Sequence, residues 1–208
     1  MRISNGIKCG MLTLLMLCFV LFAFGQTDKF ASRIYFPGGI GLNIPSGDEQ
    51  LSVRPGFSVI TGVEYRPKYT NAIFFRFNYD ALSNKYKSLP YQVPTNVIRG
   101  KLNADFFMLG VGYRRAISSK AAVYILGQPG ISSSGYSSVS INSNGYSIMN
   151  VSAYHPAGKA AFGFEYYIVP HFALVAEPGY YHLFSGHGGF IINPNYVLYN
   201  IGFTTTLF

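Results

Sequence analysis

Eight charged residues, Glu64, Arg66, Arg76, Asp80, Arg114, Lys159, Glu165 and Glu177, occupy positions that an extended, alternating chain turns to one side. Acids and bases gathered in this way support one of two chemistries. One is a relay for protons or ions; the other is a set of ion pairs and hydrogen bonds that fills the space between the side chains. A second group, Lys85, Lys87, Arg99 and Lys101, lies in a stretch with no acidic residue between Asp80 and Asp105. Clustered cations of this kind either bind phosphates and anionic headgroups or simply face water. The histidines offer less. A catalytic triad needs a base that touches the nucleophile and is oriented by a third group, and His155, His171, His182 and His187 are scattered. His182 has Ser185 nearby but no matched carboxylate, and none of the four has metal-ligand spacing. No catalytic residue, metal ligand or cofactor is assigned.

The elements that must position these groups are strands. From Asn71 to Asp80, Ile73, Phe75, Phe77 and Tyr79 share one face, and Phe74, Arg76, Asn78 and Asp80 the other. A period of two separates those sets across a strand. The segments Gly56 to Arg66, Leu102 to Arg114 and Gly158 to Tyr167 alternate in the same way, with their aromatic and aliphatic residues opposite Glu64, Arg66, Arg114, Lys159 and Glu165. Four more segments alternate less cleanly: Ser32 to Asn43, Ala121 to Ser132, Phe172 to Tyr181 and Tyr196 to Phe208. In the first, Pro37 and the paired glycines suggest a bulge. In the second, Tyr124 and Gln128 are taken as inward, and in the third, Glu177. Connections alternate in length. Three are tight turns, and the others run from Ile44 to Pro55, Ala81 to Lys101, Ser133 to Pro156 and Leu183 to Asn195.

Composition says what surrounds the strands. Only 12% of the 208 residues are charged while 17% are Phe or Tyr, with no Trp. A soluble domain carries about twice that charged fraction. At the N-terminus, Arg2 and Lys8 precede an apolar run from Met11 to Phe24, and Ala23 and Gly25 supply the small residues of a cleavage site. This reads as a secretory signal peptide over residues 1–25, leaving residues 26–208 as one domain. Its removal takes both cysteines, Cys9 and Cys18, and lowers the net charge from +8 to +6. An exported chain without a dense basic run is not a nucleic-acid binder. Beyond the signal no stretch is long and apolar enough for a spanning helix, so the bilayer is crossed by a closed barrel. The expected fold is all-β, an eight-stranded antiparallel transmembrane β-barrel. A soluble eight-stranded barrel would put its apolar face inside and charge outside; here the few strand charges suit a narrow lumen. Tyr65, Tyr79, Tyr113, Tyr166, Tyr180 and Tyr196, near strand ends, are expected at the membrane interfaces.

The strand rhythm, the FGQT junction, the strand end GVGYRR and the terminal TLF resemble the small outer-membrane barrels of OmpX and OmpA membrane-domain type. The likeness is closest to the outer-membrane β-barrel domain family common in Bacteroidota, which includes PorT-like members. That resemblance implies an integral outer-membrane location and a role for the terminal Phe208 as a signal to the barrel-assembly machinery. The apolar face of the last strand, Val197, Tyr199, Ile201, Phe203 and Leu207, is out of phase with Phe208, so either a bulge near Thr204 to Thr206 or an inward Phe208 is expected. Barrels of this size that act as lipid A deacylases or acyltransferases use a His with a Ser and an acid. The His-x-Ser spacing of the deacylases is absent at all four histidines, and the chain reads as non-enzymatic.

The function expected is a surface or envelope interaction, with outer-membrane lipids and lipopolysaccharide as partners of Lys85, Lys87, Arg99 and Lys101. The alternatives are an accessory barrel of a secretion system, with a protein partner, and a narrow pore. The uncharged stretch Ser133 to Pro156, rich in Ser, Asn and Tyr, is read as an exposed loop, with adhesion as the second reading.

Overall fold

The computed structural model describes residues 33–46, 51–67, 72–88, 99–142, 145–184 and 195–206. The expected signal peptide, the Pro-containing stretch from Leu89 to Pro94 and Phe208 lie outside the described residues. No helix among the described residues is long and apolar enough to cross a membrane; strands do so instead. They are β1 (Ile34–Ser46), β2 (Leu51–Val53), β3 (Gly56–Tyr65), β4 (Ile73–Ser88), β5 (Arg99–Ala116), β6 (Ala121–Asn142), β7 (Gly145–Val169), β8 (Phe172–Leu183) and β9 (Asn195–Thr205). Antiparallel neighbours run β1-β3-β4-β5-β6-β7-β8-β9, and β9 pairs back onto β1. Eight strands therefore close a ring, and the three-residue β2 prolongs the β3 ladder along β4.

One row of ladder partners measures the barrel. From Tyr154 of β7 it passes through Ser133, Asp105, Ala81 and Val59. It continues through Ile40, Ile201 and Ala176 and reaches β7 again at Phe164, ten residues displaced. With strands ~4.7 Å apart and ~3.3 Å per residue, that stagger tilts them by about 40° and sets a backbone radius of roughly 8 Å. Such a cylinder is just wide enough to be filled by side chains. Each residue advances ~2.5 Å along the axis at this tilt, so Ile73 to Ala81 on β4 spans roughly 20 Å, close to an outer-membrane apolar band.

Alternation is as expected, and inverted relative to a soluble protein. Phe57, Val63, Phe75, Phe77, Leu109, Phe162, Leu174 and Ile201 are exposed on the outside, while Glu64, Arg76, Asp80, Glu165 and Glu177 are buried. Tyr65, Tyr79, Tyr113, Tyr166 and Tyr180 face outward, but Tyr196 is fully buried. Position 196 shares its parity with Leu198 and Asn200, both inward, so Tyr196 belongs to the lumen rather than to an aromatic girdle. Two further expectations are corrected, at Pro37 and at Ser133 to Pro156, and for the last strand only the bulge alternative is removed, Phe208 lying outside the described residues. No bulge forms at Pro37, because β1 holds one register with β3 on both sides of it. The last strand alternates without a break through Thr206, with Thr204 and Thr206 both buried. The stretch from Ser133 to Pro156 is not a loop, since β6 and β7 stay paired out to Asn142 and Gly145. That hairpin had been hidden because its Ser, Asn and Gly content carries no apolar alternation. At 22 and 25 residues, β6 and β7 each reach roughly 55–60 Å along the axis, about twice the band, so one wall of the barrel rises well clear of the membrane.

Candidate functional site

All eight charged residues anticipated for the lumen lie inside it, each 4% exposed or less. Four are cations and four are anions, and they join into one chain of strictly alternating sign. Arg114 Nε meets Glu165 Oε2 at 2.7 Å, whose Oε1 meets Arg66 Nη2 at 2.9 Å. Arg66 Nε meets Glu64 Oε1 at 2.5 Å, and the other oxygen of Glu64 meets Arg76 Nη2 at 2.5 Å. Arg76 Nη1 lies 2.6 Å from Glu177 Oε2, Lys159 Nζ 3.0 Å from Glu177 Oε1, and Lys159 ends the chain 3.1 Å from Asp80 Oδ2. The partners of Arg76 are Glu64 and Glu177, and Asp80, on the same face of the same strand, falls to Lys159. Parity alone cannot tell which acid meets which base across the barrel.

Phenols complete the network. The Tyr167 hydroxyl donates to Glu165 Oε2 at 2.8 Å and accepts from Arg66 Nη1 at 2.9 Å. Tyr124 donates to Glu177, and Tyr181 to Asp80. Arg66 also stacks its guanidinium over the ring of Tyr35, 3.8 Å from the centroid. Glycines make the room: a Cβ at Gly112 would strike the ring of Phe74, and one at Gly163 the ring of Tyr124. Burying isolated charges in so narrow a space would be prohibitive, so each carboxylate is matched by cations and hydroxyls.

Toward the long-loop end the lumen changes character. Leu82, Ala104, Phe106, Met108, Ala157, Leu183, Tyr196 and Leu198 pack with Tyr181 into an apolar cluster. Tyr181 joins the two regions, its hydroxyl on Asp80 and its ring 4.4 Å from that of Phe106. Beside this cluster Asn84 Nδ2 donates to Asn43 Oδ1 at 2.5 Å, and Ser58 Oγ to Asn200 Oδ1 at 2.8 Å.

The second group of cations lies in strands rather than in a loop. Lys85 pairs with Lys101, and Lys87 with Arg99, in rows of the β4–β5 ladder separated by the Tyr86–Gly100 pair. Lys85 and Lys101 are exposed on the outer face. Lys85 stands four residues beyond Ala81, roughly 10 Å above the apolar band. Below it Ser83 Oγ bonds Asn103 Oδ1 at 2.9 Å, and Tyr79 OH bonds Asp105 Oδ1 at 2.9 Å. The outer face thus grades from aliphatic through aromatic and neutral polar to basic. Arg54, not anticipated, joins this patch: it follows β2, and its N–H donates to the Lys85 carbonyl at 2.8 Å. Its position before Pro55, inside what reads as a plain connection, gave no sign of strand pairing.

The histidines do not converge. His155 is buried in the lumen, His171 Nδ1 is 3.0 Å from Thr206 Oγ1 at the short-turn end, and His182 packs its ring 4.7 Å from Phe184. Ser185 and His187 lie outside the described residues. Among the described residues no three His, Cys, Asp or Glu side chains group as a metal site.

Comparison with known proteins agrees with this geometry. Residues 11–205 match the family model described as outer membrane protein beta-barrel domain. The crystal structure of Neisserial surface protein A (NspA) superposes with a TM-score of 0.59 at 17% identity, covering 84% of this chain and 97% of that one. The outer membrane protein OprG from Pseudomonas aeruginosa gives 0.52 at 13% identity, with 85% and 96% covered. At these identities the likeness is one of fold. No curated protein matches. An apolar exterior over a charged lumen, closure through β1 and β9, and the family match together make this chain a member of the outer membrane protein beta-barrel domain family, integral to the outer membrane.

Proposed function

We propose that this barrel is a closed, non-enzymatic protein of the cell envelope whose tall β4–β5 wall docks anionic headgroups, those of lipopolysaccharide above all, through Lys85, Lys87, Arg99 and Lys101. The observation that carries this reading is the pairing of like charges, Lys85 with Lys101 and Lys87 with Arg99, two ladder rows apart. Like charges directly opposite one another destabilise a sheet, and an anion lying across them reverses the sign of that contribution. Each cation near an anionic surface contributes about 1 kcal/mol, weakened by salt. Replacing all four with Gln is expected to lower retention of purified lipopolysaccharide by the folded barrel at low salt. Equal retention by the quadruple variant would sink the reading.

A closed lumen is supported by the balanced charge chain and the apolar cluster above it, which together fill a cylinder of this radius. A second reading, an accessory barrel that serves a secretion system through a protein partner, draws on the wall formed by β6 and β7, which rises far beyond what anchoring requires. Phe208 is proposed as the signal to the barrel-assembly machinery.

A further inference from the structure

We infer that Arg54, Lys85 and Lys101 form a site for two phosphate groups carried on one membrane glycolipid headgroup, held without a bridging divalent cation. The inference rests on the docking reading above and deepens it. Three features carry it.

The first is register. Arg54 is bonded through its N–H to Lys85 O, and Lys85 is the ladder partner of Lys101, so the three cations occupy one row across three strands. Directly opposed residues share a face, and all three side chains are exposed. At ~4.8 Å between strands the row is roughly 10 Å wide, too broad for one phosphate to neutralise and suited to two. Arg54 adds a planar fork that grips two oxygens of a phosphate, which an ammonium cannot do.

The second is isolation from acid. The outer-face carboxylate nearest this row among the described residues is Asp105, four rows below Lys101 and already accepting from Tyr79 OH at 2.9 Å. The third is position. The row stands above lipid-facing Phe77, Phe107 and Leu109, all exposed, so a headgroup bound there places its acyl chains against the apolar wall. That favours an acylated glycolipid over a soluble phosphate. In an anionic leaflet divalent cations bridge neighbouring phosphates; a fixed row of three cations does the same from the protein side.

The test uses the full mature barrel in detergent with EDTA present and three probes: bisphosphorylated lipid A, its monophosphorylated form, and phosphatidylglycerol. The wild-type barrel is expected to retain the bisphosphorylated form at least about tenfold better than the monophosphorylated one, with Mg2+ reducing that preference by competing for the phosphates. Arg54→Gln is expected to bring the ratio close to one while phosphatidylglycerol retention persists, and Arg54→Lys to recover part of the preference. A soluble deacylated bisphosphate headgroup should compete poorly. Equal retention of both lipid A forms by the wild type, or a preference that appears only with Mg2+, overturns the phosphate-pair site and leaves the docking reading standing. Failure to retain any anionic lipid overturns both.

Discussion

The two halves of the lumen fill the same cylinder by different physics. Toward the short turns, Arg114, Glu165, Arg66, Glu64, Arg76, Glu177, Lys159 and Asp80 hold one another in a chain where every interior member has two partners of opposite sign. Toward the long loops, Phe106, Met108, Leu198 and their neighbours exclude water by packing. The charged half is cross-linked and specific, because a carboxylate accepts only donors in the right place. The apolar half is tolerant of chemistry and sensitive to volume. The comparison also separates what ties the walls together from what seals them. Ion pairs run from β7 to Arg66 just past β3 and to β4, β5 and β8, so β7 acts as the hub, while β1 and β9 contribute no charged member and β1 meets the chain through the Tyr35 ring under Arg66.

Cutting the chain in its interior should be the most damaging change. Arg76→Met leaves Glu64 and Glu177 each short of a partner and is expected to cost about 3–5 kcal/mol, read from urea unfolding of the folded barrel. Arg114→Met, at the chain's end, breaks one link and leaves Glu165 with Arg66, so its cost should be clearly smaller. Equal losses from the two would mean that the chain is not the unit of stability. On the apolar side Leu198→Ala should cost about 2–5 kcal/mol by leaving a cavity, with no change in how stability depends on salt. At the joint, Tyr181→Phe removes a hydroxyl from Asp80 without altering volume and is expected to cost about 1.5–3 kcal/mol. Gly163→Ala drives a methyl into Tyr124 and should cost about 1–3 kcal/mol.

Sealing can be tested apart from stability. With two plugs in series, neither Arg76→Met nor Phe106→Ala alone should give sustained conductance in a planar bilayer, whereas the double variant should. Current through either single variant would show that one half carries the seal by itself. Orientation has a separate readout: Tyr154→Cys, exposed on the tall wall, should label from outside intact cells, and Ser118→Cys in a short turn should not. Ser134, on the same wall, is a poor reporter because it is buried in the lumen.

How much of this was legible in the sequence follows from what is local. A strand's period of two is a property of the chain itself, so Phe75 or Phe77 pointing to lipid and Arg76 or Asp80 pointing inward could be read residue by residue. The low charged fraction and the aromatic faces placed lipid outside and charge inside, which fixed the class of barrel. Parity held at Tyr196, opposite outward Tyr199 and Ile201; residue type misled there, because an aromatic near a strand end was read as part of the girdle, and strand length failed where both faces are wet. There the hairpin of β6 and β7 lost the alternation that marks a strand in lipid. Partnership was out of reach. Whether Arg76 meets Asp80 or Glu177 depends on the ten-residue stagger with which the sheet closes, a quantity that belongs to the ring and to no single strand. The same holds for Arg54, which became a neighbour of Lys85 only because β2 pairs along β4. The sequence by itself determined which way each strand residue faces, because that is set by backbone geometry; the tertiary structure decided which residues meet, because that is set by closure.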